Sequence, residues 1–222
     1  ITDTVLCEKN PELAYRVNAL GARNLSIVAS KVGAKIVQLS TDDVFDGIAN
    51  HPYSEFDDTN PQTVYGRSKR AGENYVKEFT HKHFIIRSSW VYGNGDNFVN
   101  RVLKAAEKRD PFAVPAGEIG APTSAKDLAR IILHLIETNE YGTYHVTCKG
   151  SCSRYELAKE VLKLAGKTLQ LTEASSVALE QPAVRPAYAV LDNFILRIID
   201  VYDMPHWRDS LKEYIEERMA RG

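Results

Sequence analysis

Apolar positions along the chain follow two spacings that take turns. In "NPELAYRVNALGARNLSIVASKVG" (10–33), Leu13, Val17, Leu20 and Val28 recur at helical intervals, and this stripe predicts an amphipathic helix. Asn10 suits the cap, Pro11 the first turn and Gly33 the stop. "AKIVQLS" (34–40) is a short apolar run, of the kind buried on both faces of a parallel sheet. Residues 41–63, rich in Asp, Asn, Pro and Gly, read as a loop. "VYGRSKRAGENYVKEF" (64–79) then predicts a helix and "HFIIRSS" (83–89) a second buried strand. Helix, strand, helix, strand implies crossover units, hence an α/β fold with a doubly wound parallel sheet.

After about residue 95 the rhythm changes. "NFVNRVLKAAEKR" predicts a helix and "PFAVP" a short edge strand. "SAKDLARIILHLIET" and "SCSRYELAKEVLKLAG" predict helices, with Ser124/Asp127 and Ser153/Glu156 in capping relation and Gly166 as a stop. "GTYHVT" reads as a strand, and "HWRDSLKEYIEERM" closes the chain as an amphipathic helix. The division is a sheet-based part, 1–95, followed by a smaller mixed α/β part, 96–222, some of whose elements return to the sheet. The chain opens "ITDTVLCEK", with no methionine and no capped first element, as expected of a chain entered in the middle.

Composition narrows the partners. With 28 basic and 29 acidic residues the net charge is −1, which gives no electrostatic reason to expect nucleic acid or an anionic membrane. No apolar run approaches the roughly 18 residues of a membrane span. Cys7, Cys148 and Cys152 make an odd count with no bridge pattern, as expected of free thiols in the cytoplasm. The six histidines show no ligand spacing, so no metal site is expected from the residues.

Two Tyr-Lys pairs stand four apart, Tyr65/Lys69 and Tyr155/Lys159. On a helix such residues share a face. An ammonium beside a phenol favours the phenolate, lowering a pKa that is otherwise about 10 and fitting the Tyr for general acid-base work. Context separates the pairs. "AKIVQLS" runs directly into Ser40, Thr41 and Asp42, and "HFIIRSSW" ends in Ser89 and Trp90. Active sites of doubly wound sheets form where parallel strands end. The position matching Thr41 upstream of Tyr155 is Ile131, on an apolar helix face, so Tyr155 reads as structural.

Thr41, Tyr65 and Lys69 resemble the Ser/Thr-Tyr-Lys set of the extended short-chain dehydrogenase/reductase superfamily. "LSTDDVFDG", "PYSEFDDTNPQTVYGRSKRAGE", "IIRSSWVYG", "NFV", "GAPTSAKDLA", "GTYHVT", "SCSRYELA" and "RPAYAVLDN" occur in order. Over nearly the whole chain they are similar to the dTDP-4-dehydrorhamnose reductase family. The resemblance implies a Rossmann-like fold and reduction of the C4 ketone of dTDP-4-dehydro-L-rhamnose by NADPH or NADH. Tyr65 would donate the proton, Lys69 would hold the nicotinamide ribose and tune Tyr65, and Thr41 would bond the substrate oxygen. Thr2, Asn18 and Ser40 match cofactor-side positions. Asp43, Trp90, Asn97, Phe98 and Arg185 match positions lining the nucleotide-sugar site. Magnesium enters by resemblance alone, and a homodimer is among the assemblies the resemblance allows.

Two departures keep other readings open. Asp43 stands where the family usually has Tyr, and a carboxylate near Lys69 would offset the pull of that lysine on Tyr65. Glu118 replaces a common Gln. No G-x-G-x-x-G follows a strand, so the diphosphate-binding turn is expected in residues preceding Ile1. A non-catalytic relative that regulates or scaffolds a partner, or an extended short-chain epimerase or dehydratase, remain as alternatives. Cofactor retention separates the latter, because epimerases keep their NAD and reductases exchange it.

Overall fold

The structure, a computed structural model, describes residues 1–175, 186–201 and 203–221. Asp3 accepts from the Leu6 amide and caps a first helix, α1 (Thr4–Lys9), where no capped element was expected. Asn10 caps α2 (Pro11–Tyr15), which passes through a π-helical turn at Arg16–Leu20 into α3 (Gly21–Val32). Gly33, at φ 69°, ends it. Next come β1 (Ile36–Thr41), a 3-10 turn (Asp42–Val44), α4 (Val64–Phe79) and β2 (His83–Ser88). The second part supplies β3 (Val91–Tyr92), α5 (Phe98–Lys108), β4 (Phe112–Pro115), β5 (Ile119–Gly120), β6 (Thr123–Ser124) and α6 (Ala125–Glu137). It continues with β7 (Gly142–His145), β8 (Cys152–Ser153), α7 (Arg154–Leu164), β9 (Leu171–Ala174), β10 (Tyr188–Ala189), α8 (Phe194–Ile198) and α9 (Trp207–Arg221).

The central sheet is parallel, in the order β1-β2-β7. β7 comes from beyond residue 95 and completes it. Strand alternation in β2 feeds two layers. Ile85 packs with Ala22, Val76 and Ile36 on the α3/α4 face. Phe84 and Ile86 enter the main core with Leu128, Ile131 and Leu135 of α6. Helices thus cover both faces, as a doubly wound sheet requires.

Two packing expectations are corrected. The stripe of Leu13, Val17, Leu20 and Val28 does not face the core: Val17, Leu20 and Val28 are 45, 44 and 56% exposed. The buried face is Ala14, Asn18, Ala22 and Ser26, four small or short residues at four-residue spacing. Small residues win because α3 and α4 lie too close for larger ones. A Cβ on Gly72 of α4 would stand 2.5 Å from the Asn18 carbonyl oxygen. Gly72→Ala therefore forces the helices apart, with an expected loss of about 1–3 kcal/mol in denaturant unfolding. Nor is β1 buried on both faces, since Leu39 is 50% exposed. Among the described residues no strand pairs with its outer edge.

His145, at the end of β7, is fully buried. Its Nδ1 lies 3.0 Å from the Tyr53 carbonyl and 3.2 Å from that of Asp192, so Nδ1 carries the hydrogen. Burial, then the Arg87 charge, push its pKa down to about 3. A depressed His pKa costs stability as pH falls from the unfolded value of about 6.5 towards the folded one. Unfolding free energy should drop by about 2 kcal/mol between pH 7 and pH 5. Glu55, whose carboxyl burial raises, acts in the opposite sense. The decisive comparison is therefore with His145→Gln, in which most of that slope disappears.

Candidate active site

Thr41 is the last residue of β1 and lies 5% exposed. Its hydroxyl donates to Asp42 Oδ1 at 2.9 Å and accepts from the Asp43 amide at 3.2 Å. The other Asp42 oxygen accepts from Ser89 Oγ at 2.7 Å. One carboxylate thus ties together the ends of two neighbouring strands. α4 begins against this turn. Thr63 caps it by accepting from the Gly66 amide at 2.9 Å, and Glu8 accepts from the Val64 amide at 2.7 Å. A Cβ on Gly66 would stand 2.1 Å from the Asp43 carbonyl oxygen, so the first turn of α4 lies directly on the Asp43 backbone. Gly66→Ala should push that turn off the strand end and lower kcat by on the order of 10²-fold, the cost of about 1 Å of misplacement.

Tyr65 occupies this first turn, half-buried, with Lys69 one turn on. The Lys69 ammonium donates to the Leu39 carbonyl of β1. Burial lowers the Lys69 pKa, and the Glu73 charge works against that. Glu73, a further turn along the same helix face, thus acts on Lys69, a carboxylate the sequence reading had not considered beside Asp43. Asp43 is buried against the start of α4, with the Thr63 hydroxyl donating to its Oδ2 at 3.5 Å.

Glu73 is fully buried. Arg87 grips it through Nε at 2.9 Å and Nη2 at 2.8 Å. Ser40 Oγ donates to it at 2.5 Å and Arg70 Nη1 at 3.3 Å. Burial alone would raise its carboxyl pKa; the Arg87 hydrogen bonds and charge, with Ser40 and Arg70, outweigh burial and hold it low. Nothing in the strand-and-loop pattern pointed to Glu73, although its place four residues after Lys69 was a legible signal.

A cavity of about 720 Å³ collects Thr2, Ser40, Thr41, Asp43, Tyr65, Lys69, Trp90, Asn97 and Phe98 on its wall, within the size range of ligand sites. Asn97 shapes it indirectly, donating to the Gly93 carbonyl and capping α5. Asn18 does not line it. Nor does Asn18 face solvent, since it is buried and donates to Ser68 Oγ at 3.0 Å, while Ser68 donates to the Tyr65 carbonyl at 2.8 Å. It braces the Tyr65 turn from behind. Arg185 lies outside the described residues. Tyr155 and Lys159 lie outside the cavity, and Lys159 Nζ is 5.8 Å from the Tyr155 ring centroid. The sequence reading missed two other wall residues, Arg101 and Arg154.

The RmlD substrate binding domain matches residues 1–220. A dTDP-4-dehydrorhamnose reductase of Streptomyces griseus is 38% identical over 214 residues, 93% of this chain and 70% of that protein. The chain belongs to the dTDP-4-dehydrorhamnose reductase family. A crystal structure of the family from Clostridium acetobutylicum superposes with a TM-score of 0.95 at 44% identity, covering 98% of this chain and 78% of that one. A Bacillus anthracis family member, solved in complex with NADP, gives the same TM-score and coverage at 40% identity. The Bacillus subtilis spore coat polysaccharide biosynthesis protein SpsK is 38% identical over 96% of this chain and 75% of its own. A Thermus thermophilus UDP-glucose 4-epimerase, 19% identical with a TM-score of 0.85, shares the Rossmann-like fold. Cys7, Cys148 and Cys152 are buried free thiols. Among the described residues no group of three or more His, Cys, Asp or Glu converges on a metal position, so nothing supports the expected magnesium. No helix among them is long and apolar enough to cross a membrane.

Proposed function

We propose that this chain carries the reacting centre and the sugar side of an NAD(P)H-dependent reductase that converts dTDP-4-dehydro-L-rhamnose to dTDP-L-rhamnose. The observation that carries the reading is the meeting of Thr41, from a strand end, with Tyr65 and Lys69, from one helix face, on the wall of a single ligand-sized cavity. Residues 1–95 form the dinucleotide side and 96–222 the nucleotide-sugar side, with β7 returned to the sheet.

NADPH or NADH, when bound, supplies the hydride. The donor set fits the nicotinamide-ribose end of such a cofactor: an ammonium at Lys69 with the hydroxyls of Ser40 and Thr2 on the same wall. The 222 residues hold no G-x-G-x-x-G turn for its diphosphate. Tyr65 gives its phenolic proton to the C4 oxygen as that oxygen gains negative charge. Lys69, still charged, stabilises the phenolate left behind. The Thr41 hydroxyl, which donates to Asp42 here, turns about its Cβ–Oγ bond to donate to the same oxygen. Asp43 accepts from sugar hydroxyls, while Trp90 and Phe98 flank the sugar ring, whose C–H face suits aromatic surface. Arg185 is assigned to the diphosphate by chemistry alone, since its fork suits paired oxygens.

The test is NADPH and NADH oxidation with dTDP-4-dehydro-L-rhamnose, using the protein that carries this chain and identifying dTDP-L-rhamnose as product. Turnover with release of oxidised cofactor supports the reductase. A folded protein giving no product with either cofactor overturns it in favour of a binding-only role. Tightly retained NAD would instead indicate an epimerase.

A further inference from the structure

Trp90 is held in an unusual way. Its φ is +46°, in the left-handed region that non-glycine residues adopt at a cost and keep only when their surroundings over-determine them. Three neighbours supply that restraint. Its carbonyl accepts from the Thr123 amide at 3.3 Å. Its ring lies on Gly120, where a Cβ would stand 2.4 Å from Cε2. The Arg154 guanidinium carbon sits 3.5 Å from the ring centroid and 5.0 Å from the centroid of the Phe98 ring.

Arg154 is itself fixed. Only 6% exposed, it donates from Nε to Glu118 Oε2 at 3.1 Å, and Glu118 is 9% exposed. A short antiparallel ribbon brings the parts together. β5 pairs with β8, Gly120 opposite Cys152 and Ile119 opposite Ser153. Glu118 precedes β5, Gly120 ends it, and Arg154 follows β8. The ribbon therefore delivers the space for the indole, the cation on it and the carboxylate that orients the cation. All four residues except Gly120 line the 720 Å³ cavity together with Tyr65 and Lys69.

We propose that Arg154, locked by Glu118, is a positioning residue for Trp90: it sets the indole as the aromatic wall against which the sugar of the bound nucleotide sugar lies, and so sets the affinity for that ligand. The identity of the ligand rests on the reductase reading; the clamp does not. A desolvated cation over an indole is among the stronger cation–π arrangements. The planar fork of Arg lets it stack on a ring and bond a carboxylate at once, which a Lys ammonium does not. The wall meets the substrate alike in ground and transition states, so losing it weakens binding more than it slows chemistry.

The experiment compares wild type, Arg154→Gln, Trp90→Phe and the double variant. Arg154→Gln should raise KM for the nucleotide sugar on the order of 10-fold, with kcat falling less than about threefold. The double variant should cost no more than Trp90→Phe alone, because a residue that acts only through another adds nothing once that other is gone. Additive losses would overturn the proposal, since Arg154 would then act on the ligand directly. Tryptophan emission gives a readout independent of turnover. The chain has two tryptophans, Trp90 and Trp207. Arg154→Gln should change the emission of the wild type and leave that of Trp90→Phe unchanged; a change that persists there reports general disturbance and overturns the clamp. Should the wild type fail to reduce the ketosugar, the reductase reading falls, while tryptophan emission, which needs no ligand, still decides the clamp. Arg154→Lys, which keeps the charge without the fork, should recover only part of the affinity.

Discussion

Replacing Tyr65 with Phe lowers kcat for ketone reduction on the order of 10²-fold or more, while the KM for the nucleotide sugar changes little. The argument is chemical. A ketone accepting hydride becomes an alkoxide unless a proton arrives with it, and among the cavity groups Tyr65 stands beside the Lys69 ammonium that stabilises the conjugate base. Phe keeps the ring and its packing against Cys7, Ala14 and Val64, so the fold is spared and only the proton is lost. Tyr155→Phe is the control. It removes the phenol of the other Tyr-Lys pair, outside the cavity, and should leave kcat at the wild-type value. A loss in Tyr155→Phe equal to that in Tyr65→Phe would mean that the spacing alone, and not the strand ends, had been read as chemistry.

The second large effect is on stability. Glu73→Ala should lower the unfolding free energy by about 3–5 kcal/mol, the usual cost of stranding one partner of a buried ion pair. Arg87, 2% exposed, loses both oxygens it grips, and the Ser40 hydroxyl loses its acceptor. The paired change Glu73→Leu with Arg87→Met should cost much less than the sum of the single changes, because it leaves no unpaired charge. The pH dependence carries a second signature. The Glu73 pKa is depressed in the folded state, so its contribution is present above the unfolded carboxyl value of about 4.3 and is lost as pH falls through the folded value. Urea midpoints from pH 7 down to pH 3 measure it. Glu73→Gln also removes the charge that supports the Lys69 ammonium, so the alkaline limb of the kcat profile should move to lower pH. Intact stability in Glu73→Ala would mean that the Arg87 pair breaks even against solvation.

The two effects sit on one helix face. Tyr65, Lys69 and Glu73 are spaced by four, so the phenol proposed to give the proton, the neighbouring cation and the buried anion that acts on that cation share one side of α4. Chemistry and stability are therefore not separable along this face, and Glu73→Ala should lower activity even in the folded fraction.

What could be read in the sequence and what could not divide by range. The bounds of α4, Val64–Phe79, the Gly33 stop and the Ser153–Glu156 capping box were legible because caps and helical period depend on residues within a turn or two of one another. The same holds for Tyr65 and Lys69 on one face and for Thr41 at a strand end. The buried face of α3 was not legible. Apolar size pointed to Leu20 and Val28, whereas the closeness of α4 selects Ala22 and Ser26, and that closeness belongs to the pair of helices. The hydrogen bond by which Asn18 braces Ser68, 50 residues away, was not legible either. Arg87 finds Glu73 across 14 residues and Arg154 finds Glu118 across 36, with no period or spacing to announce either pair. The sequence by itself determined the α/β rhythm, the helix ends, the placing of Tyr65 and Lys69 on one helix face and the family, because these rest on local order along the chain. Only the tertiary structure decided which surfaces are buried, which cation holds Glu73 and what holds Trp90, because each is a choice of partner made by packing distant segments into one volume.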